Sequence, residues 1–222
     1  MGWLRDTSAS HALKVGDTLP DFLLPDADGR LHSSEQLRRN GPLVLSFFRG
    51  GWSPFCTAEL YALQAANHEF ESVGATLAVV TPETRDFPRQ LKRSLGLDLK
   101  VLSDIDYGVG VSYGVLCRVP DETKAHYSRL GLTSAPATGQ TYVIDTGSRI
   151  RSAFVEPDFT IRKEPAQILA SLHRPLPRPS RKGPPSSANT SLSKPRRRGA
   201  PFPVAAAYLG AIARGGAHAL VE

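Results

Sequence analysis

The chain reads FFRGGWSPFCTAEL from Phe47 to Leu60, and this stretch decides the fold because it joins an apolar strand to the start of a helix. The run from Pro42 to Phe48 predicts a buried strand, and apolar residues recur at helical spacing from Ala58 onward, which predicts a helix to about Val73-Gly74. Cys56 therefore falls in the first turn of that helix. Free backbone N–H groups and the positive end of the helix dipole favour an anion there, so the pattern predicts a reactive thiolate.

Composition bounds the kind of protein. With 222 residues and 41% apolar side chains, the chain can form one domain with a sizeable core. Two cysteines are too few for a disulfide framework, the first residues lack a secretory signal, and no stretch approaches the roughly 20 apolar residues that cross a bilayer. We expect a cytoplasmic protein that does not enter the membrane. The histidines lack metal-ligand spacing and no nucleotide-binding loop is present, so we expect no metal and no other cofactor.

Strand and helix patterns alternate on both sides of the opening stretch. A second apolar strand is predicted at Ala75 to Thr81, and the order strand, helix, strand favours a parallel βαβ unit. The other predicted elements are a hairpin within 15–31, a short helix capped by Ser33 or Ser34, a helix over 84–95, a strand over 99–102, a helical or loop segment over 107–116, a hairpin over 141–155 and a closing helix over 164–173. The pattern predicts an α/β domain in which helices flank a central mixed sheet.

This domain is expected to cover residues 15–173, between a flexible leader (1–14) and a Pro- and Arg-rich tail (174–222). The tail contains nine Lys and Arg side chains and one acidic side chain, and the whole chain has a net charge of +6. Such a composition predicts disorder, because it buries too little apolar surface. No aromatic residues alternate with its arginines, so we favour a solubilising extension over a specific nucleic-acid-binding module.

The strand, loop and cysteine-capped helix, with Ser53 three residues before Cys56, resemble the peroxiredoxin active-site loop, in the branch that reads roughly FYRGGWCPYCNLEL. Further motifs follow the family's order: VGD and PDF within 15–22, TYVID at 141–145, AFV at 153–155 and DFT at 158–160. The resemblance covers about residues 15–173 and implies a thioredoxin-like fold. It also implies a thiol peroxidase that reduces hydrogen peroxide or organic hydroperoxides through a sulfenic acid at Cys56.

Two positions depart from the branch pattern. Ser53 stands where the branch has a second cysteine, so dithiol exchange between positions 53 and 56 is excluded. In the wider family a Thr or Ser at this position binds the attacking sulfur and the peroxide, so Ser53 is a candidate catalytic residue. Gly139 and Gln140 stand where many members have an arginine. Phe55, Trp52 and Gln140 are assigned to substrate binding.

An arginine normally completes a site of this kind, because its guanidinium keeps its charge and donates several hydrogen bonds. Arg49 is the nearest in sequence to the cysteine, and Arg151 and Arg162 are its rivals. We take Arg49 and Arg162 as candidate catalytic residues. Glu59 matches the family's acid one turn after the cysteine, although a solvated carboxylate on the helix surface is an equal alternative.

Cys117 is the candidate for a resolving cysteine within the chain, although its apolar neighbours favour a structural role. The position five residues after Cys56, which holds a resolving cysteine in some members of the family, is Tyr61. The resemblance then implies a one-cysteine enzyme that an external thiol such as thioredoxin or glutathione reduces. Whether the chain forms a homodimer is left open.

Two other functions stay open on sequence grounds. A thiol-disulfide oxidoreductase is disfavoured by Ser53, since the second thiol of a Cys-x-x-Cys pair is missing. A noncatalytic redox sensor or binding protein with the same fold is favoured by Gly139 and Gln140 and by the short loop that precedes them.

Overall fold

The computed structural model describes residues 12–51, 53–84, 86–117, 135–136, 140–156, 158 and 161–173. The chain divides into two units, Met1–Arg178 and Pro179–Glu222, and every described residue belongs to the first. The predicted tail and the first eleven residues of the predicted leader lie outside the described residues. Ala12 is buried, and the backbone N–H of Leu13 donates to the carbonyl of Tyr113 at 3.1 Å. Packed structure thus includes residues just before the expected boundary at residue 15.

The described residues form nine strands and six helices. The strands are β1 (Leu23–Pro25), β2 (Leu31–Ser33), β3 (Leu43–Phe47), β4 (Thr76–Thr81), β5 (Lys100–Ser103), β6 (Leu116–Cys117), β7 (Ala135–Pro136), β8 (Gln140–Ile144) and β9 (Ile150–Phe154). The helices are α1 (Ser34–Leu37), α2 (Pro54–Ala65), α3 (Asn67–Ser72), α4 (Asp86–Leu95), α5 (Gly108–Ser112) and α6 (Pro165–Leu172). Within this described part, no helix has the length and apolar character that a bilayer crossing requires.

The central sheet has five strands in the order β5-β4-β3-β8-β9. β3 pairs in parallel with β4, and β4 with β5, whereas β8 is antiparallel to both β3 and β9. Every residue of β3 and of β8 is buried, as expected for strands that are covered on both faces. The predicted α/β class, with a mixed sheet between helices, is confirmed.

Two hydrophobic clusters fill the two faces of this sheet. On one face, Leu60 of α2, Phe70 of α3 and Ile168 of α6 pack with Val44 of β3. Cys56 belongs to this cluster. The other face contains an aromatic group in which the ring centroids of Phe47, Tyr113 and Tyr142 lie 5.2 to 6.2 Å apart. The candidate nucleophile therefore lies on the face that α2 and α6 cover.

The helix predicted to run from Cys56 to Val73 is divided into α2 and α3 at Ala66, whose φ of −91° and ψ of 0° depart from helical geometry. Phe70 of α3 is fully buried. Apolar spacing continues across the junction, which is why the sequence pattern predicts a single helix.

Candidate active site

The loop between β3 and α2 places Ser53 at the N-cap of α2. Its backbone is extended, with φ −93° and ψ 117°, and Pro54 occupies the first helical position, where a missing N–H is tolerated. The Ser53 Oγ accepts a hydrogen bond from the backbone N–H of Cys56 at 3.4 Å. Upstream, the N–H of Ser53 donates to the carbonyl of Gly50 at 3.1 Å. The serine thus connects the loop to the first turn of the helix.

Cys56 is the third residue of α2 and is fully buried, with 0% of its surface exposed. Its thiol is free rather than in a disulfide. The sequence predicted this place in the first turn. Burial alone would fit an inert core cysteine, so the polar groups around the sulfur decide its role.

Arg162 places a cation in contact with the sulfur. Its Nη2 donates to the Sγ of Cys56 at 3.4 Å, and its Nη1 lies 3.2 Å from the Oε2 of Glu59 in an ion pair. The arginine lies in the segment before α6, and Ile168 and Leu172 anchor that helix in the core. Only 11% of the Arg162 side chain is exposed. The guanidinium therefore joins the thiol to the carboxylate in a site largely shielded from water.

Glu59 is held on its other side by two buried hydroxyl groups. The Oγ of Ser46 in β3 donates to Glu59 Oε1 at 3.2 Å, and the Oγ1 of Thr141 in β8 donates to Ser46 Oγ at 3.3 Å. Burial raises the pKa of Glu59, while Arg162 and the Ser46 hydrogen bond act in the opposite direction. A polar chain thus runs from the sheet through Glu59 and Arg162 to the sulfur of Cys56.

A cavity of about 440 Å³ lies between the first turns of α2 and the segment before α6. Its walls include the apolar side chains of Phe55, Ala62 and Ile161, together with Glu59 and Arg162. Phe55 and Ile161 are 42% and 46% exposed, although both are large apolar side chains. Arg162, which contacts the sulfur of Cys56, and Glu59, which pairs with Arg162, therefore also face a space open to solvent.

The structure also places the two other candidate arginines and Gln140 in the fold. Arg49 is buried in the loop after β3, and Arg151 lies on the edge strand β9. Gln140 begins β8 and is fully buried. Because Thr141 faces α2, the preceding side chain of Gln140 lies on the opposite face of the sheet from Cys56.

Two further predictions fall outside what the structure describes. Trp52, assigned to substrate binding, lies outside the described residues. The backbone of Cys117 pairs with Ala135 in the antiparallel pair β6–β7, but its side chain is not described, so its assignment as a resolving cysteine stays a prediction. Tyr61, at the position five residues after Cys56, is 52% exposed on α2.

Sequence reasoning missed Ser46 and Thr141. A weak signal existed for Ser46, because it is the one hydroxyl in the otherwise apolar run Pro42 to Phe48. Thr141 carried no such signal, since its partner is distant in the chain. Among the described residues, no three His, Cys, Asp or Glu side chains cluster as metal ligands would.

Comparisons with known proteins show which family the chain belongs to. Residues 15–153 match the model of the AhpC/TSA family. A Mycobacterium tuberculosis protein named as a peroxiredoxin is 26% identical over 162 residues, which cover 72% of this chain and 96% of the relative. Peroxiredoxin Bcp of Escherichia coli is 31% identical over 106 residues, which cover 47% of this chain and 67% of the relative.

Solved structures show the same fold. Peroxidoxin BcpB from Mycobacterium tuberculosis superposes with a TM-score of 0.60 at 25% identity, covering 72% of this chain and 96% of that one. A PrxQ variant from Xylella fastidiosa gives a TM-score of 0.59 at 18% identity, with coverage of 72% and 95%. The family and the thioredoxin-like fold that the active-site loop predicts are thereby confirmed. The chain belongs to the AhpC/TSA family and has the thioredoxin-like fold of the peroxiredoxins.

Proposed function

We propose that the chain is a thiol peroxidase that reduces hydrogen peroxide or small organic hydroperoxides at Cys56. The observation that carries this proposal is the contact between Arg162 Nη2 and Cys56 Sγ at 3.4 Å in a buried site. A peroxiredoxin relative that is matched over 96% of its own length supports the same activity. A cation in contact with the sulfur is the kind of environment in which reactive cysteines occur.

In the proposed reaction the Cys56 thiolate attacks the nearer oxygen of the peroxide. A bond forms between Sγ and that oxygen while the O–O bond breaks, which oxidises the thiol to sulfenic acid. The other oxygen leaves with the electron pair of the broken bond and takes a proton, giving water or an alcohol. Arg162 stabilises the negative charge on the sulfur and then on the leaving oxygen.

Ser53 and Glu59 have supporting roles in this proposal. The Ser53 Oγ accepts from the Cys56 N–H, so its own hydroxyl proton can be donated to the sulfur or to the peroxide. Glu59 orients Arg162 so that Nη2 points at the sulfur. We assign peroxide entry to the 440 Å³ cavity, since Arg162 and Glu59 form part of its wall.

Return of the sulfenic acid to the thiol is assigned to an external thiol of the thioredoxin or glutathione type. Ser53 and Tyr61 occupy the positions at which related enzymes have a second cysteine, which supports this assignment. A catalytic cycle through a free thiol needs a reducing compartment, so we propose the cytoplasm as the location. A homodimer is the assembly to look for in sedimentation experiments.

The test is a stopped-flow measurement of reduced protein mixed with stoichiometric hydrogen peroxide, with a sulfenic-acid trap to identify the product. We expect oxidation far faster than that of an ordinary free thiol, abolished in Cys56→Ser and retained in Cys117→Ser. Oxidation of the unmodified chain at the rate of an ordinary thiol would reject the peroxidase and favour a redox sensor.

A further inference from the structure

We propose that Glu83 is a positioning residue for the nucleophile. Its carboxylate accepts a hydrogen bond from the backbone of the loop that leads to Ser53 and Cys56, and we call this contact the clasp. This inference rests on the proposed function of Cys56. Glu83 lies outside the chain of contacts that runs from Thr141 to the sulfur. It lies two residues after β4 and contacts the loop between β3 and α2 at Gly51.

The contacts of Glu83 join two segments that are 32 positions apart. The Oε2 of Glu83 accepts from the backbone N–H of Gly51 at 3.3 Å and from the Oγ1 of Thr81 at 3.0 Å. The N–H of Glu83 in turn donates to Thr81 Oγ1 at 3.2 Å. The threonine hydroxyl at the end of β4 thus orients the carboxylate, and the carboxylate binds the loop.

The same loop segment also forms hydrogen bonds with the beginning of α2. The Thr57 Oγ1 donates to the carbonyl of Gly51 at 3.3 Å, and the Gly50 carbonyl accepts from Ser53 N–H at 3.1 Å. Gly50 has a φ of +142°, a conformation that favours glycine and leaves this part of the backbone permissive. A permissive backbone needs external bonds to hold one conformation. Of the bonds named here, that from Glu83 ties the loop to the sheet.

The charge state of Glu83 changes near neutral pH. Burial raises its pKa to about 7, and the hydrogen bonds from Thr81 and Gly51 reduce but do not cancel that effect. Among the described residues, the Thr81 hydroxyl from β4 and the Gly51 N–H from the loop donate hydrogen bonds to the carboxylate, and neither donor titrates. Because an ionised acceptor forms a hydrogen bond about twice as strong as a neutral one, the clasp tightens as the pH rises through 7.

The raised pKa of Glu83 argues against a role in stability alone. A raised pKa means that ionised Glu83 is less favourable in the folded chain than in water. A neutral amide would accept the Gly51 hydrogen bond without that cost. What the carboxylate adds is a stronger bond to the loop at neutral and higher pH.

The test compares Glu83→Ala and Glu83→Gln with Glu71→Gln, a change on the outer surface of α3, in the full chain. The rate constant for oxidation of Cys56 by hydrogen peroxide is measured from pH 5.5 to 8.5. At pH 8 we expect Glu83→Ala to react about tenfold more slowly, as loss of one charge-assisted hydrogen bond predicts. Glu83→Gln keeps a neutral acceptor, so at pH 8 we expect a rate between those of Glu83→Ala and the unmodified chain, and no inflection near pH 7. The Glu71 variant should follow the unmodified chain.

Two readouts that need no peroxide separate this inference from the proposed function: the rate at which iodoacetamide alkylates Cys56, and hydrogen exchange in peptides that span Gly50 to Ser53. Both should change in Glu83→Ala even if the unmodified chain proves to be no peroxidase. Unchanged alkylation and exchange in that variant would overturn the inference. If Glu83→Ala fails to fold, the Gln variant decides: persistence of the inflection near pH 7 overturns the clasp, and its loss supports it.

Discussion

Arg162 follows Cys56 by 106 positions in the chain, yet its guanidinium bridges the sulfur and the carboxylate of Glu59. Burying an ion pair of this kind seldom adds stability, because desolvation offsets the attraction between the charges. The pKa of Glu59 is raised by burial despite the adjacent cation, which points to the same balance. The pair is therefore better explained by the direction in which it holds Nη2 than by its contribution to folding.

Replacement of Arg162 tests this explanation at the residue level. Loss of a charge-assisted hydrogen bond of about 1.5–3 kcal/mol predicts that Arg162→Ala lowers the rate constant for Cys56 oxidation by about 10- to 100-fold. Arg162→Lys should recover only part of the rate, because an ammonium lacks the planar fork that contacts Glu59 and the sulfur together. Stopped-flow kinetics would measure both variants.

The control for that experiment is Arg149→Ala, in the turn between β8 and β9. This turn follows Ile144, which pairs with Leu43 at the beginning of β3. The nucleophile loop follows the other end of that strand, so the turn is distant from it. Its rate constant should equal that of the unmodified chain. Equal rates for the Arg162 and Arg149 variants would show that the guanidinium at the sulfur is dispensable.

Glu83 predicts a pH-dependent stability with a definite sign. Its pKa is about 7 in the folded chain against an ordinary value of 4.5, so the folded state holds the proton more tightly. Stability from this group is complete below pH 4.5 and is lost as the pH rises to 7. Glu83→Gln lacks this loss, so its melting temperature relative to the unmodified chain should rise by a few degrees between pH 5 and pH 8.

Thermal unfolding followed by circular dichroism at the two pH values measures the effect. Glu71→Gln serves again as the control, and its difference from the unmodified chain should stay constant with pH. A constant difference for Glu83→Gln as well would mean that the carboxyl titrates normally in the folded chain.

The parts of the site that are close in sequence could be predicted, and those that depend on chain folding could not. Ser53 and Cys56 follow from local spacing, because a cap and a first-turn cysteine are set by adjacent residues. Arg162 was one of three arginines that the sequence could not rank, since the ranking depends on where the segment before α6 packs. Thr141 is bound through Ser46, which is 95 positions away, and no sequence pattern records that contact.

At the level of elements, strands and helices with strong patterns were predicted within one or two residues. β3, β4 and β9 match their apolar runs, and Ser33 forms the predicted cap of α1, with a complete capping box. The short β6–β7 pair was not predicted. Two-residue strands have no periodicity, and their pairing arises only when the chain brings Leu116 beside Pro136.

The turns that lead into the two central parallel strands approach each other closely through their backbones. Gly41 precedes β3 and Gly74 precedes β4, and a Cβ on Gly41 would overlap the carbonyl oxygen of Gly74. We expect Gly41→Ala to destabilise the chain by about 1–3 kcal/mol, because the obstruction is backbone and cannot rotate away. This corresponds to a fall in melting temperature of about 2–4 °C per kcal/mol, measured by calorimetry.

Gly108→Ala is the matched control. A Cβ there meets only the flexible carboxylate of Asp106, at 3.4 Å, and alanine is favoured over glycine at a helical position. Its melting temperature should stay the same or rise. A Gly41 variant as stable as this control would mean that the two turns separate at little cost.

At the scale of the whole domain, the site forms at the edge of the sheet where its parallel strands have their carboxyl ends, beside the ends of the adjacent strands β3 and β4. The loop after β3 carries Ser53 and Cys56, and the segment after β4 carries Glu83, so parallel pairing brings the nucleophile loop and its clasp together. This edge is where α/β sheets generally bind ligands. The returning chain then adds Arg162 after the last strand. One local motif therefore becomes a complete site only through the topology.

That topology predicts where the chain can be shortened. A chain that ends at His173 keeps α6 and Arg162, so we expect its peroxide rate constant to stay within about twofold of the full chain, a change of less than about 0.5 kcal/mol. A chain that ends at Thr160 loses Arg162 and also Ile168 and Leu172. Burial of each of those two side chains is worth about 1.5–3 kcal/mol, so this shorter chain should be much less stable as well as slow.

Both truncated chains would be compared with the full chain by thermal unfolding and by stopped-flow oxidation. Arg162→Ala in the full chain separates the two losses, since it removes the guanidinium and leaves α6 in place. A large loss of rate on removal of residues 174–222 alone would show that the basic tail takes part in the reaction. Such a result would contradict the domain boundary predicted from composition, because α6 and the arginine before it would then be insufficient to complete the site.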